Sequence, residues 1–407
     1  MNPTWNRRTF LTALGLSTAA TTLPASARPR ETSRAAPTPS VPGPALAFVS
    51  TVNFMQGGIS GITTFRIHDG RWTEIAPWHQ TYHPGLLAPH PTLPVLYTPS
   101  GPLWAKTGDA RRGIALALAI DPSDSISVEA CLSRQRHWIN EINRQPLALT
   151  TTQPSSIAVS PDARFLLIAD RHAGTYNVLP LAPDGALLPL EHALKLTGSS
   201  QSSPHPHSVL FHPRGHLAYA TDQGTDRLHV ICFDTGHPRI VSTLAFALGS
   251  APTDLALHPS NRFLLVSTGR GGLCVLPIDH ATGDLSSEIH PYSLADDHAS
   301  GPILLHIAGD RLYIVTSPLH PERRSQSQRA ILHTLRFSRS GRLSPLARTS
   351  LPGIQRGVQL AFAGSDLVLV GDGGIVTVPL DPDTRLPGAP VLVYIGKGHT
   401  GIVVRSA

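Results

Sequence analysis

The stretch PHSVLFHPRGHLAYATD, residues 206–222, recurs along this chain in several copies. PSSIAVSPDARFLLIAD (154–170) and PTDLALHPSNRFLLVST (252–268) show the same order of features: an apolar segment, a Ser-Pro or His-Pro turn, and a second apolar segment. Weaker copies begin at residues 84, 301 and 356. Self-similarity at a regular spacing is the sequence signature of a repeat architecture. The chain therefore contains several copies of one structural unit.

Each copy is followed by two further segments with the character of β-strands. DRLHVICFD (226–234) and GGIVTVPLD (373–381) are examples of the third segment, and the fourth is more variable. One unit thus holds four strands in about 45–55 residues, which is the size of a propeller blade. Abundant Gly and Pro agree with many short strands joined by turns. The pattern predicts an all-β protein.

The number of blades follows from the two ends of the repeat region. ALAFVST (45–51), GITTFRI (61–67) and WTEIAPWH (72–79) supply the second, third and fourth strands of a unit without a first strand, and TGIVVRSA (400–407) is left over at the end. Pairing this C-terminal strand with the N-terminal blade completes a ring and leaves no sheet edge exposed. We predict one seven-bladed β-propeller domain over residues 45–407.

The first 44 residues precede the repeats and differ from them in composition. Residues 1–27 contain Arg7-Arg8, an apolar run and the small residues Ala25-Ser26-Ala27, which together predict a twin-arginine-type signal peptide. The apolar run is too short to cross a bilayer. Residues 28–44 are rich in Pro and predict a disordered linker. We expect a periplasmic or extracellular protein whose mature chain has no membrane span.

Composition excludes several other functions. The formal net charge is +6, but the Lys and Arg residues are scattered and form no stripe of the kind that binds nucleic acid. Cys131, Cys232 and Cys274 lack the Cys-x-x-Cys spacing of a redox or zinc motif, and we interpret them as small buried side chains. We expect a monomer that binds a small molecule and needs no cofactor.

Histidines are frequent in the repeats, and their positions fall into two classes. His212 and His258 belong to the recurring His-Pro turn, so we interpret them as turn residues. His205 and His207 instead precede the first strand of a blade, where loops gather at one mouth of the central channel. These two could chelate a metal together with Asp296-Asp297-His298. Those three residues are better interpreted as charged loop residues in contact with solvent, so we predict no metal site.

Three segments resemble one known family: HPHSVLFHPRGHLAYATDQGTDRL (205–228), QPSSIAVSPDARFLLIADRHAGTYNVLPLAPDG (153–185) and RGVQLAFAG (356–364). They look like the lactonase family of seven-bladed propellers, which includes the propeller-type 6-phosphogluconolactonase and the fungal carboxy-cis,cis-muconate cyclase. The resemblance implies that His207 acts at the reacting centre and that Arg356 binds a substrate anion.

The chain also departs from the family pattern. Pro252-Thr253-Asp254 stands where the family has Pro-Arg-His, and Thr268-Gly269-Arg270 stands where it has Asn-Glu-Leu. A second anion-binding arginine and an acid/base glutamate are therefore missing, although Arg270 could restore positive charge. Glu141 or Glu322 could replace the carboxylate, from long loops that we expect at 136–153 and 317–330 on the mouth side, where Trp138 could also stack on a sugar ring.

Lactone hydrolysis needs a base for water, a donor for the developing oxyanion and groups that hold the substrate. We expect His207 as the base, because an unperturbed histidine has a pKa of about 6.5, and Arg356 as the oxyanion partner. His205 or Asp222 would orient them. The expected substrate contacts are Asp226, Asp254, Arg270 and Asp372.

These residues predict an exported hydrolase of a small sugar-acid lactone. An unphosphorylated lactone is favoured over 6-phosphogluconolactone, because a phosphorylated cytoplasmic intermediate is not expected outside the inner membrane. Two alternatives stay open. One is a non-catalytic propeller that binds a ligand or a protein after losing part of the family site. The other is an isomerase or lactonising enzyme with similar acid/base chemistry.

Overall fold

The computed structural model describes residues 45–52, 60–80, 83–101, 113–120, 139–147, 154–199, 202–234, 237–294, 304–317 and 329–406. The predicted leader and linker, residues 1–44, lie outside this part of the chain. So do Cys131, Trp138, Asp296-Asp297-His298 and Glu322. Among the described residues, no helix has the length and apolar character needed to cross a bilayer.

The described strands form seven antiparallel sheets, which are the blades of a β-propeller. Each blade has four strands, and the first strand of blade 2 is split into two short pieces. The prediction of an all-β seven-bladed propeller is confirmed.

The strands of each blade are given from the innermost to the outermost. Blade 1 contains β29 (His399–Ser406), β1 (Ala45–Thr51), β2 (Ser60–His68) and β3 (Arg71–Gln80). Blade 2 contains β4 (His83–Pro84) with β5 (Ala88–Pro89), β6 (Val95–Gly101), β7 (Ile114–Ile120) and β8 (Ile139–Pro146). Blade 3 contains β9 (Pro154–Val159), β10 (Phe165–Asp170), β11 (Thr175–Pro180) and β12 (His192–Lys195). Blade 4 contains β13 (Pro206–Phe211), β14 (Leu217–Asp222), β15 (Arg227–Cys232) and β16 (Arg239–Ala245).

The remaining three blades follow the same order. Blade 5 contains β17 (Leu255–Leu257), β18 (Phe263–Thr268), β19 (Gly272–Pro277) and β20 (His290–Ser293). Blade 6 contains β21 (Leu304–Ala308), β22 (Arg311–Thr316), β23 (Ile331–Phe337) and β24 (Leu343–Ser350). Blade 7 contains β25 (Gly357–Ala363), β26 (Asp366–Gly371), β27 (Gly374–Val378) and β28 (Val391–Ile395).

Blade 1 joins the two ends of the repeat region, as the sequence predicted. β29 pairs with β1 in antiparallel register from Ala45 opposite Ser406 to Ser50 opposite Gly401. The inner strand of this blade therefore comes from the C-terminal end of the chain and its other three strands from the N-terminal end. This pairing removes two open sheet edges, which would otherwise expose unpaired backbone groups.

Apolar side chains are concentrated between neighbouring blades. Every residue of β10 and of β14 is buried, whereas the outer strand β16 contains only exposed and half-buried residues. Seven clusters of buried apolar residues each combine side chains from two adjacent blades. The middle strands are apolar on both faces because each blade is covered by a neighbour on either side.

The recurring turn between the first and second strands has a defined geometry. Its last residue has a positive φ in three blades: 57° at Ala163, 80° at Gly215 and 54° at Asn261. Its first residue accepts backbone hydrogen bonds, as in His212, whose Nδ1 accepts from the amide of Arg214 at 3.3 Å. His258 accepts the amide of Ser260 at 3.1 Å in the same way. These contacts give His212 and His258 the turn role that the repeats predicted.

At three interfaces, a tyrosine of the second strand donates a hydrogen bond to a carbonyl between the third and fourth strands of the next blade. Tyr97 in blade 2 donates to the carbonyl of Gly185 in blade 3 at 2.8 Å, and Tyr219 in blade 4 donates to Gly283 in blade 5 at 2.6 Å. Tyr313 in blade 6 donates to the carbonyl of Arg385 in blade 7 at 2.8 Å. We call each of these three contacts a tyrosine latch. At a fourth interface, Tyr176 of the third strand of blade 3 donates to the carbonyl of Thr221 in blade 4 at 3.0 Å.

Strand direction defines two faces of the ring. We call the face at which the innermost strands begin the mouth face and the opposite one the rear face. Because successive strands are antiparallel, second strands end and third strands begin at the mouth face. First and third strands end at the rear face, where second and fourth strands begin.

One part of the sequence interpretation needs correction. Residues 136–153 were expected to form a loop, but Ile139–Pro146 forms β8, the outer strand of blade 2, paired with β7. Polar residues such as Asn143 and Arg144 obscured this strand in the sequence, because an outer strand has only one covered face. Cys232 and Cys274 are buried free thiols, in agreement with the prediction for these two residues.

Candidate active site

A cavity of about 550 Å³ lies where the innermost strands begin, at the centre of the mouth face. All seven blades contribute to its wall. The polar and charged side chains in the wall are those of Ser155, Ser156, Arg171, His207, Ser208, Asp254, Arg356, Gln359, His399 and Thr400. A concave site with a few convergent polar groups is the usual form of a small-molecule pocket.

His207 is the second residue of β13 and lines this cavity. Its pKa is lowered to about 4, first by burial and then by the positive charge of Arg171, while a hydrogen bond with the Thr253 backbone acts in the opposite direction. Its Nδ1 atom has no hydrogen-bond partner among the described residues. The low pKa makes the imidazole neutral at neutral pH.

Asp254 lies beside the start of β17 and lines the same cavity. Its Oδ1 atom accepts hydrogen bonds from the amide of Leu255 at 2.9 Å and from the hydroxyl of Ser208 at 3.3 Å. Its Oδ2 atom accepts the amide of Leu305 in blade 6 at 2.8 Å. Burial raises the pKa of Asp254 to about 6, although these three donors oppose the rise.

Two arginines add positive charge to the cavity wall. Arg356 directly precedes β25 and is exposed at the rim, and its backbone amide donates to Oδ1 of Asp372 at 3.0 Å. Arg171 follows β10 on the connection to β11 and is half-buried. A pair of guanidinium groups can hold a carboxylate or stabilise a developing oxyanion.

Two ionisable residues of the wall, Arg171 and His399, were missed by the sequence interpretation. Arg171 directly follows the second strand of its blade, at the position of Gln223 in blade 4, and this position is the signal that could have identified it. His399 begins the inner strand of blade 1. Its Nδ1 lies 3.1 Å from the hydroxyl of Thr51, and burial lowers its pKa to about 4. The position of His399 at the start of an inner strand matches that of His207.

Several predicted site residues instead stabilise backbone turns. Oδ1 of Asp222 accepts the amides of His205 at 2.6 Å and Gly224 at 3.0 Å, and its Oδ2 accepts the hydroxyl of Thr225 at 2.5 Å. Asp226 accepts the amides of Gly249 and Ala251 at 2.8 and 2.7 Å. Neither residue lines the central cavity, so the geometry does not support the expected contact of Asp222 or Asp226 with a substrate.

The other predicted contacts are also placed by the structure. His205 lines a separate cavity on the mouth face, of about 490 Å³, which shares Arg171 with the central one. Asp372 accepts the amides of Gln355 and Arg356, so it holds the backbone beside the central cavity. Arg270 lies in a short 3₁₀ turn, Gly269–Gly271, and its side chain falls outside the described part of the structure.

Glu141, one of the predicted substitutes for the missing family carboxylate, does not line the central cavity. Glu141 lies in β8, the outer strand of blade 2, and binds Arg144 through its two oxygens at 2.6 and 3.0 Å. It therefore does not supply a carboxylate to the channel. Thr253, at the position of the family's arginine, is buried, and its hydroxyl lies 2.8 Å from that of Ser267.

A metal-ligand cluster is present elsewhere in the described part of the chain. Glu191, His192 and His237 have ligand atoms within 4.8 Å of one another. These residues lie between the third and fourth strands of blades 3 and 4, at the rear face. They are separate from the central cavity.

Comparison with known proteins agrees with this architecture. The chain matches the family described as "Lactonase, 7-bladed beta-propeller" over residues 48–317. It is 29% identical to a 6-phosphogluconolactonase of Bacillus subtilis (strain 168) over 119 residues, which are 28% of this chain. The match spans about a third (34%) of that relative's length.

Solved structures share the fold over nearly their whole length. A periplasmic gluconolactonase of Pseudomonas aeruginosa, PpgL, has a TM-score of 0.71 at 20% identity and covers 89% of this chain and 99% of its own. A protein from Lactobacillus plantarum has a TM-score of 0.69 at 18% identity and covers 89% of this chain and 99% of its own. The family match extends over more than half of the chain. This chain belongs to the lactonase family of seven-bladed β-propellers.

Proposed function

We propose that this propeller hydrolyses a small sugar-acid lactone in the central cavity of its mouth face. The observation that carries the proposal is the convergence of Asp254, His207, Arg171 and Arg356 on one cavity of about 550 Å³. This set includes a carboxylate with a raised pKa, a neutral imidazole and two cations. Family membership supports lactone hydrolysis as the reaction type.

Asp254 is the better candidate for the general base. A catalytic base works best when its pKa is close to the working pH. The pKa of Asp254 is raised to about 6, whereas that of His207 is lowered to about 4. The carboxylate is therefore largely ionised at neutral pH and still the more basic of the two groups. This assignment revises the expectation that His207 is the base.

The reaction then uses each group in turn. Asp254 takes a proton from water as the water oxygen bonds to the lactone carbonyl carbon, and negative charge develops on the carbonyl oxygen. Arg356 and Arg171 stabilise that charge, and the neutral imidazole of His207 hydrogen-bonds to the substrate. Collapse of the tetrahedral intermediate breaks the bond between the carbonyl carbon and the ring oxygen. The ring oxygen leaves as a hydroxyl after receiving the proton from Asp254, and the product is an open hydroxy acid.

For the substrate we propose an unphosphorylated aldonolactone. The predicted twin-arginine leader would deliver the folded protein outside the cytoplasm, where phosphorylated sugar intermediates are not expected. The solved structure from Pseudomonas aeruginosa is titled a periplasmic gluconolactonase, which supports this choice of substrate class.

The test is hydrolysis of a panel of aldonolactones and of 6-phosphogluconolactone, measured after subtraction of the uncatalysed rate. We expect saturable activity on at least one unphosphorylated lactone. His207→Ala and Arg356→Ala should each reduce kcat/KM by about 100-fold. Arg164→Ala, which changes an exposed turn on the rear face, is the control and should retain activity. Unchanged rates in both cavity variants would contradict the assigned site.

A non-catalytic propeller that binds a ligand is the second candidate. It is favoured by Thr253, which replaces the family's second anion-binding arginine with a buried neutral side chain. This candidate would be supported if the protein binds aldonates or lactones in calorimetry without hydrolysing any lactone of the panel.

A further inference from the structure

We propose that Glu191, His192 and His237 form a binding site for a divalent transition-metal ion of the Zn²⁺ type, which clamps blades 3 and 4 together at the rear face. The site is independent of the central cavity and of the proposed hydrolysis. Its three ligands come from two blades: Glu191 and His192 lie at the start of β12, and His237 lies between β15 and β16.

Two of the three distances between the ligand atoms fit a tetrahedral metal site, and the third is at most 4.8 Å. Nε2 of His192 lies 3.4 Å from Nδ1 of His237 and 3.6 Å from Oε1 of Glu191. Around Zn²⁺, with metal–nitrogen bonds of about 2.0–2.1 Å, tetrahedral geometry places neighbouring ligand atoms about 3.3–3.4 Å apart. The observed separations are close to these values. Little side-chain movement is therefore needed to bind an ion.

The chemistry of the ligands selects the class of metal. Two imidazoles and one carboxylate suit Zn²⁺, Cu²⁺ or Ni²⁺, whereas Ca²⁺ and Mg²⁺ prefer sites built from oxygen atoms. The imidazole of His192 is half-buried, and His237 and Glu191 are exposed. The ion would therefore keep a fourth position for water.

The location of the cluster suggests what the ion would do. Tyrosine latches join blades 2 and 3, blades 4 and 5, and blades 6 and 7, through an acceptor between the third and fourth strands of the later blade. Between blades 3 and 4, the position of Tyr219 is taken by Leu167, which has no hydroxyl. His237 lies in the segment of blade 4 that would hold the acceptor. Tyr176 of blade 3 donates to the carbonyl of Thr221 in blade 4 at 3.0 Å, but this contact lies at the mouth end of the strands. A bound ion would thus link the two blades at the rear face, where the tyrosine latch is missing.

The test uses the tag-free protein after removal of metal with a chelator. Titration with Zn²⁺ in a calorimeter should show one saturable site per chain, and Zn²⁺ should raise the Tm. His192→Ala and His237→Ala should each weaken Zn²⁺ binding by at least about tenfold and abolish the rise in Tm. Co²⁺ should give the intense visible absorption of a four-coordinate site in the wild type and in neither His192→Ala nor His237→Ala.

A matched control is available on the same protein. His290 and Glu288 also place a ring nitrogen 3.6 Å from a carboxylate oxygen, but they lack a second imidazole. His290→Ala should therefore bind Zn²⁺ as the wild type does. Without metal, His192→Ala and His237→Ala should melt at the same temperature as the metal-free wild type. This comparison separates loss of the ion from loss of the fold. Equal Zn²⁺ affinity in the wild type and in both cluster variants, or Zn²⁺ binding that leaves the wild-type Tm unchanged, would overturn the proposal.

Discussion

The carboxylate of Asp372 accepts the backbone amide of Arg356 at 3.0 Å and so fixes the rim of the central cavity in blade 7. Asp222 makes the same kind of contact in blade 4, where it accepts the amide of His205 at 2.6 Å, two residues before His207. Both carboxylates end or directly follow the second strand of their blade. A repeated structural device therefore positions two of the proposed functional residues without contacting the cavity.

Replacing Asp372 should impair substrate binding more than turnover. Asp372→Ala leaves the amides of Gln355 and Arg356 without this acceptor, so the rim carrying Arg356 loses its fixed geometry. We expect KM to rise by about tenfold with a smaller change in kcat, because a displaced binding group mainly weakens the complex. Steady-state kinetics measures both constants. Asp383→Ala, an exposed change near the rear face, is the control, and an equal loss of kcat in Asp372→Ala would argue against a positioning role.

The pH dependence of hydrolysis should identify the base. If Asp254 accepts the proton from water, kcat/KM requires its ionised form and declines as the pH falls through about 6. A base at His207 would place that decline near pH 4. Asp254→Asn should reduce kcat/KM by about 100-fold or more and remove the dependence around pH 6. A wild-type profile that stays flat down to about pH 5 would return the role of base to His207.

Removal of Arg171 should weaken binding of the anionic product. Arg171→Gln takes one of two positive charges from the cavity wall, and we expect the inhibition constant of the hydroxy-acid product to rise by about tenfold. The pKa of His207 should also rise, because the charge of Arg171 lowers it. NMR titration of the imidazole measures this shift. The control is Arg164→Gln, and an unchanged inhibition constant in Arg171→Gln would remove this residue from the binding site.

Closure of the ring should contribute strongly to stability. Ile402 in β29 is 1% exposed and packs with residues of blades 1 and 7. Ile402→Ala should lower the free energy of unfolding by about 2–4 kcal/mol, because it leaves a cavity in this interface. Ile395→Ala makes the same chemical change at a side chain that is 81% exposed, and it should cost less than about 0.5 kcal/mol. Urea denaturation measures the free energy of unfolding of both variants. An equal loss in the two variants would contradict tight packing of β29 in the ring.

His229 should make the fold sensitive to acid. It lies in β15, and burial lowers its pKa in the folded protein to about 4 from an ordinary value of 6.5. The stability that comes from burying the neutral imidazole is complete above the pKa of His229 in the unfolded chain. It is lost as the pH falls from about 6.5 towards 4. The loss amounts to on the order of 3 kcal/mol. His229→Gln should therefore show a shallower fall of stability over this range, measured by denaturation at several pH values, and an unchanged slope would refute the assignment.

The architecture was predictable because the repeats carry it directly. The turn that begins with Ser160, His212 or His258 has a side-chain acceptor at its first residue and a positive φ at its last, so its sequence is restricted wherever it occurs. The shared blade was also predictable, since an incomplete first unit and a leftover strand can complete each other. Strand β8 was missed because an outer strand carries polar residues and lacks the restricted turn.

The candidate site was predictable only in part. His207, Asp254 and Arg356 come together because all three lie at the beginnings of inner strands, and this position can be read from the repeats. Asp222, Asp226 and Asp372 occupy similar places on the mouth face, but they accept amides of adjacent turns and do not line the central cavity. Whether a carboxylate points into a cavity or towards a neighbouring turn depends on distances between segments far apart in the chain. Sequence spacing does not contain that information.

The pairing of Ala45 with Ser406 determines how this protein can be attached to something else. β1 is a second strand and β29 is a first strand, so Ala45 and Ser406 both lie on the rear face. A reporter domain, an affinity tag or a solid support joined directly to Ala45 or after Ser406 would hold the ring at its rear face. Solutes would then reach the cavity unhindered, and an immobilised preparation should retain its capacity for small ligands.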